Sequence, residues 1–151
     1  MRCRVSKAVS ISSPSGRLEC KSVGLIVMNP EHEVLLLDRR KGVLGWAGPA
    51  GHLESGEDPL CALRRELFEE TGVELNSSYK LVLHADMDNA CKRGFNSHEW
   101  WVYMLRAKDD RLELKEPEKH KGIGWFTLKE INTLELEPVW RTILSHFFNQ
   151  P

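Results

Sequence analysis

The sequence predicts an α/β fold, a sheet covered by helices on its two faces, and three observations carry that expectation. Short β-branched or aliphatic runs are interleaved with two amphipathic stretches of helical period, the pattern of a layered α/β domain. The chain has 151 residues, the size of a single domain. Its composition, 41% hydrophobic and 28% charged, is that of an ordinary globular protein and argues against a disordered or membrane chain.

Residues 1–20 mix Arg2, Arg4, Lys7 and Arg17 with Ser and Pro and contain no apolar run of signal-peptide length. They are expected to form a flexible polar arm ahead of one domain over residues 21–151. Ser22 to Met28 and Glu33 to Asp38 read as a hairpin of buried strands, with Asn29-Pro30 as the turn. The aliphatic run Leu25 to Met28 is far shorter than the roughly 18 apolar residues of a membrane span. Gly42, Gly45, Gly48, Gly51 and Pro49 surround Trp46, a composition suited to a loop that turns sharply or approaches a ligand closely.

Asp58 to Thr71 reads as an amphipathic helix. Pro59 suits its first turn, Leu60, Leu63 and Leu67 recur on one face, and Gly72 is placed to close it. Strands are expected at Tyr79 to Asp86, Glu99 to Arg106 and Ile123 to Thr127, the last after the charged stretch Asp109 to Gly122. Pro138 to Phe148 is the final helix, with Val139, Trp140, Ile143, Leu144, Phe147 and Phe148 on one stripe.

Twenty-one Lys plus Arg against 22 Asp plus Glu leave a net charge of -1, so no overall basic field exists to hold a nucleic-acid polymer. A local patch can still take a small nucleotide. Cys3, Cys20, Cys61 and Cys91 are far apart and form no CxxC pair. Reduced thiols and a cytoplasmic location are therefore the expectation.

Opposite the leucines, the first helix presents Glu66, Glu69 and Glu70 at i, i+3 and i+4. Such like charges repel by about 0.2 to 0.5 kcal/mol per pair, and acids late in a helix oppose its dipole. A cation should compensate. Hard divalent ions take oxygen ligands, and Mg2+ is held by one or two carboxylates plus substrate phosphate oxygens. A carboxylate patch facing a glycine-rich loop suits a metal-bound phosphate.

Counted from Gly51, five residues lead to Glu57 and seven more to Arg65-Glu66-Leu67-Phe68-Glu69-Glu70-Thr71-Gly72-Val73. This matches every position of the Nudix box, and the protein resembles the Nudix hydrolases from about Lys21 to Phe148. The resemblance implies the α/β/α sandwich with a mixed central sheet. It also implies Mg2+-dependent hydrolysis, with Mn2+ as the substitute ion, of a nucleoside diphosphate linked to another moiety. Glu66 and Glu70 match the principal metal ligands, and Glu69 the acid that binds a second ion or activates water. Arg65 and Glu57 match positions that mainly orient these acids. Gly51 matches the glycine whose carbonyl can reach a metal, and Gly72 the structural helix stop.

Gly48-Pro49-Ala50-Gly51 stands where the family commonly has Leu-Pro-Gly-Gly, so the loop facing the substrate is expected to differ in shape. Trp46 is a candidate for stacking on a base, His52 for a phosphate contact, and Trp101 and Tyr103, which share a strand face, for a nucleobase pocket. Glu116-Pro117-Glu118-Lys119 resembles the loop that brings a further acid to the metal in small Nudix nucleotide hydrolases. Glu118 is the candidate ligand or base. His32, His84, His120 and His146 show no metal-ligand spacing and are expected to be surface or core residues.

The expected substrate is a nucleoside triphosphate or modified dNTP, giving a monophosphate and pyrophosphate. ADP-ribose or a nucleotide sugar is the runner-up, and a non-catalytic nucleotide-binding module is the reading from another class. Removal of messenger-RNA caps would call for a basic channel that the charge does not supply. A homodimer through the arm or a strand edge stays open, and neither membrane nor nucleic-acid polymer is an expected partner.

Overall fold

The computed structural model describes residues 20–52, 58–88 and 97–149; Glu57, and the expected arm apart from Cys20, lie outside them. In chain order the elements are β1 (Cys20–Met28), β2 (Val34–Arg39), β3 (Gly45–Ala47), β4 (Ala50–His52), α1 (Pro59–Thr71), β5 (Leu75–Asp88), β6 (Ser97–Ala107), β7 (His120–Phe126), α2 (Leu128–Ile131) and α3 (Pro138–Phe148).

Hydrophobic alternation fixes the layers. On β1, Val23, Leu25 and Val27 join Leu63 and Leu67 of α1 and Trp101 and Leu105 of β6 in one buried cluster. Ile26 and Met28 point the other way, onto Trp100, Val102, and Trp140, Ile143 and Leu144 of α3. Fully burying each such aliphatic side chain contributes about 1.5 to 3 kcal/mol, so both faces need a helical cover. The outcome is the expected α/β/α sandwich, its sheet mixed because β1 runs parallel to β6 while its other pairings are antiparallel.

The β1–β2 hairpin pairs at its closed end, Met28 opposite Val34. Asn29 sets that turn: its Nδ2 donates to Glu33 Oε1 at 2.9 Å and its Oδ1 accepts from the Glu33 amide at 2.8 Å. Beyond it the strands take different partners. β1 lies between β4 and β6, and β2 between β3 and β7. The segment expected as a glycine loop thus contains two short strands, because its backbone lies along the edges of β1 and β2. The Leu25 amide donates to the Pro49 carbonyl at 2.8 Å. A Cβ on Gly48 would stand 2.5 Å from the Trp140 ring, so only glycine lets this loop pass under α3.

Helix α1 begins as expected. Asp58 Oδ1 accepts from the Leu60 and Cys61 amides at 3.0 and 3.1 Å, capping two of the donors that a helix start leaves open. At the other end Gly72 adopts φ 71°, and its amide donates to the Phe68 carbonyl at 2.9 Å.

Other expectations are corrected. β5 extends N-terminally over polar Asn76, Ser77 and Ser78 to Leu75, since pairing with β6, bulges included, overrides weak strand propensity. A short helix, α2, follows β7. Its start signal was present in the sequence: Thr127 and Glu130 form a reciprocal capping box. Cys61 is disulfide-bonded, against the expectation of reduced thiols, because spacing along the chain reveals only local cysteine pairs. Among the described residues no helix is long and apolar enough to cross a membrane.

Candidate active site

The helical spacing brings Glu66 and Glu70 to one side of α1, where both are half-buried, while Glu69 stands exposed. Leu63 and Leu67 turn α1 so that its glutamate edge meets β4. There a Cβ on Gly51 would lie 3.4 Å from Leu63 Cδ2 and 3.5 Å from Glu66 Oε2. The strand backbone at Gly51 therefore lies beside the Glu66 carboxylate, at a distance where a Cβ would make ordinary contacts. Arg65 is exposed.

The second wall is the segment between β6 and β7. Its Glu113 amide donates to the Thr71 carbonyl at 3.0 Å and its Lys115 amide to the Glu70 carbonyl at 3.1 Å. These are carbonyls that the end of a helix leaves without partners. The next residue, Glu116, is thereby set beside Glu70. Burial first, then the charge of Glu116, push the Glu70 carboxyl up to about 7, with Lys119 opposing. While no ion is bound, the Glu116 carboxylate thus disfavours a charged Glu70. Lys119 Nζ lies 3.1 Å from Glu116 Oε2 and donates to Oε1 at 3.3 Å. This is the compensating cation that the helix called for.

Glu116, not Glu118, is the acid facing α1. The Lys119 and His120 amides both donate to the Glu116 carbonyl, a tight turn that leaves Glu118 exposed. His120, set aside in the sequence, begins β7 half-buried next to this turn. Burial first, then Arg39, hold its pKa below the usual histidine value, so its ring is neutral at neutral pH. The missed signal was Lys119: it follows Glu116 at i+3, where the two can pair.

The donor set suits a hard divalent ion. Glu116 Oε2 is sealed from solvent and accepts no hydrogen bond among the described residues, despite the nearby ammonium. A carboxylate oxygen with a spare lone pair beside Glu70 fits a hard divalent cation held by oxygen ligands. Among the described residues no three potential ligands form a preformed cage, and an ion that completes its shell with water and phosphate oxygens needs none. Glu66, Glu70 and Glu116 would hold the ion, which when bound acidifies water and neutralises phosphate charge.

The expected substrate contacts are not gathered there. Strand alternation puts His52 on the face opposite Gly51, its ring 5.8 Å from that of His98. Trp46 packs edge-on against Phe126 with centroids 5.0 Å apart, an anchor between β3 and β7. Trp101 is buried and stacks on His84 at 4.6 Å. Tyr103 sits half-buried beside Tyr79, near the start of α1. The β6 face carrying Trp101 and Tyr103 is core, because α1 covers it.

Carboxylates from one helix, a glycine strand against them and an acid-bearing loop coincide with a match of the NUDIX domain family over residues 19–147. The chain belongs to the Nudix hydrolase family. It is an enzyme of phosphoanhydride hydrolysis acting on nucleoside diphosphate-linked compounds, in a family that generally uses divalent metals. This Nudix hydrolase is 30% identical over 107 residues to the bis(5'-nucleosyl)-tetraphosphatase [asymmetrical] of Rattus norvegicus, covering 69% of this chain and 70% of the relative. To the RNA pyrophosphohydrolase of Blochmanniella pennsylvanica it is 25% identical, over 83% and 90% of the two chains. The solved MutT NUDIX hydrolase from Burkholderia pseudomallei superposes with a TM-score of 0.69 at 23% identity, covering 86% of this chain and 98% of the other.

Proposed function

We propose that the enzyme uses Mg2+ to hydrolyse nucleoside 5'-polyphosphates, with a nucleoside triphosphate or modified dNTP cleaved to monophosphate and pyrophosphate. The observation that carries this reading is the half-buried pair Glu70 and Glu116 with Lys119 against it, next to Glu66 and Gly51. It offers carboxylates to the ion and an ammonium to the phosphate chain. In this reading Glu66, Glu70, Glu116 and the Gly51 carbonyl hold Mg2+. Glu69 serves water activation or a second ion, and Arg65 orients the helix acids. Lys119 and Lys121, exposed at the same end of β7, favour a long, highly charged phosphate chain over the diphosphate of ADP-ribose. A second reading, a dinucleoside tetraphosphate, is favoured by the similarity to the Rattus norvegicus tetraphosphatase.

Product analysis decides among them. The panel contains dNTPs, oxidised dNTPs, dinucleoside tetraphosphates, a 5'-triphosphorylated RNA oligonucleotide, ADP-ribose and nucleotide sugars, with Mg2+ or EDTA, using wild type and Glu70→Gln. Mg2+-dependent pyrophosphate release from dNTPs that Glu70→Gln abolishes is the expected result. Preferred cleavage of the dinucleoside polyphosphate selects the second reading, and turnover of ADP-ribose alone overturns both. Nucleotide binding without any turnover would point instead to a binding module.

A further inference from the structure

We infer that Arg40 is a positioning residue that holds Glu116 in register with the metal-binding edge of α1. The inference rests on the reading of Glu116 as a metal ligand. Glu116 lies between two fastenings of its loop. On one side the Glu113 and Lys115 amides are bound to the last carbonyls of α1. On the other, the turn after Glu116 is bound to Arg40, just beyond β2. The Arg40 Nε donates to the Pro117 carbonyl at 2.6 Å, and its amide donates to the Lys119 carbonyl at 3.0 Å.

An exposed arginine is ordinarily a solvated charge, but this one spends its directional donor on a backbone carbonyl 77 residues away in sequence. A charged donor makes the stronger class of hydrogen bond, and the planar guanidinium fixes its direction. The neighbouring arginine does a different task. Arg39 reaches buried Glu137 at the start of α3, Nη1 to Oε2 at 3.3 Å. Two consecutive residues thus fasten β2 to α3 and to the acid loop. Of the bonds that locate Glu116, the Arg40 side chain supplies one that a substitution can remove without touching a carboxylate.

The test is a Mn2+ titration, followed by electron paramagnetic resonance on the whole chain without substrate. It compares wild type, Arg40→Ala, Arg40→Lys, Glu116→Gln and the double variant Arg40→Ala/Glu116→Gln, with melting in EDTA as the check of folding. Loss of a residue that orients a ligand typically weakens metal binding by about tenfold or more. Arg40→Ala is expected to show about that loss, with the Mg2+ concentration for half-maximal activity rising in parallel. Arg40→Lys, whose ammonium can reach the same carbonyl, recovers part of it. In the Glu116→Gln background, Arg40→Ala adds nothing.

Wild-type Mn2+ affinity in folded Arg40→Ala, or a loss that adds fully to that of Glu116→Gln, overturns the inference. A raised KM for substrate at saturating metal, with Mn2+ affinity intact, also overturns it and assigns Arg40 to the phosphate chain. If Glu116→Gln itself binds Mn2+ like wild type, the reading of Glu116 falls, and with it the inference. If Glu116→Gln is weakened and Arg40→Ala is not, the inference fails alone.

Discussion

Two regions supply the acids of the proposed metal site, and they are built in opposite ways. On α1, Glu66 and Glu70 owe their juxtaposition to helical period alone: four residues make about one turn, and the buried stripe of Leu63 and Leu67 decides which side is left to meet β4. In the loop before β7, Glu116 owes its place to contacts with α1 and Arg40, both distant in sequence. A locally encoded ligand should tolerate changes elsewhere, whereas a ligand placed by tertiary contacts should be lost when its fastenings are.

The largest expected effect comes from the helix. Glu70→Gln removes a carboxylate of the proposed metal site and should lower kcat by on the order of 10³-fold, as expected when a metal's several kcal/mol of charge stabilisation is impaired. Steady-state kinetics at saturating Mg2+ measures it. A loss under tenfold would mean that the loop, not the helix, carries the ion.

Next is the pH dependence of the metal-free protein. The folded-state pKa of Glu70 is raised, from the ordinary 4.5 to about 7. A carboxyl with a raised folded pKa stabilises the fold most at low pH and loses that contribution as pH climbs through about 7. In EDTA the melting temperature should therefore fall between about pH 5 and pH 8, Glu70→Gln should flatten the fall, and Mg2+ at the upper pH should reverse it. Calorimetry showing the same slope in Glu70→Gln would place the titration elsewhere.

The smallest effect belongs to the entry of α1. Asp58→Ala removes the cap on the Leu60 and Cys61 amides and should cost about 1 kcal/mol in urea unfolding, with little change in metal affinity, because the glutamates lie two turns further on.

The same contrast separates what the sequence revealed from what it concealed. Helix α1, its Asp58 start and its Gly72 stop were legible because period and capping are local. So were β1 and β2, whose aliphatic runs leave few alternatives. β3 and β4 were hidden inside a glycine-rich segment because their strand character comes from the edges they lie against. Glu118 was preferred to Glu116 because spacing within a loop says nothing about which residue its turn exposes. Trp101 and Tyr103 were read as facing a pocket, and the helix that covers them could not be seen in the strand's own alternation.

The most direct measurement is the Mn2+ affinity of Glu116→Gln beside that of Glu118→Gln. If long-range contacts choose the loop acid, Glu116→Gln loses affinity by about tenfold or more and Glu118→Gln binds as wild type does. Equal affinities, or a loss confined to Glu118→Gln, would contradict the account of this site.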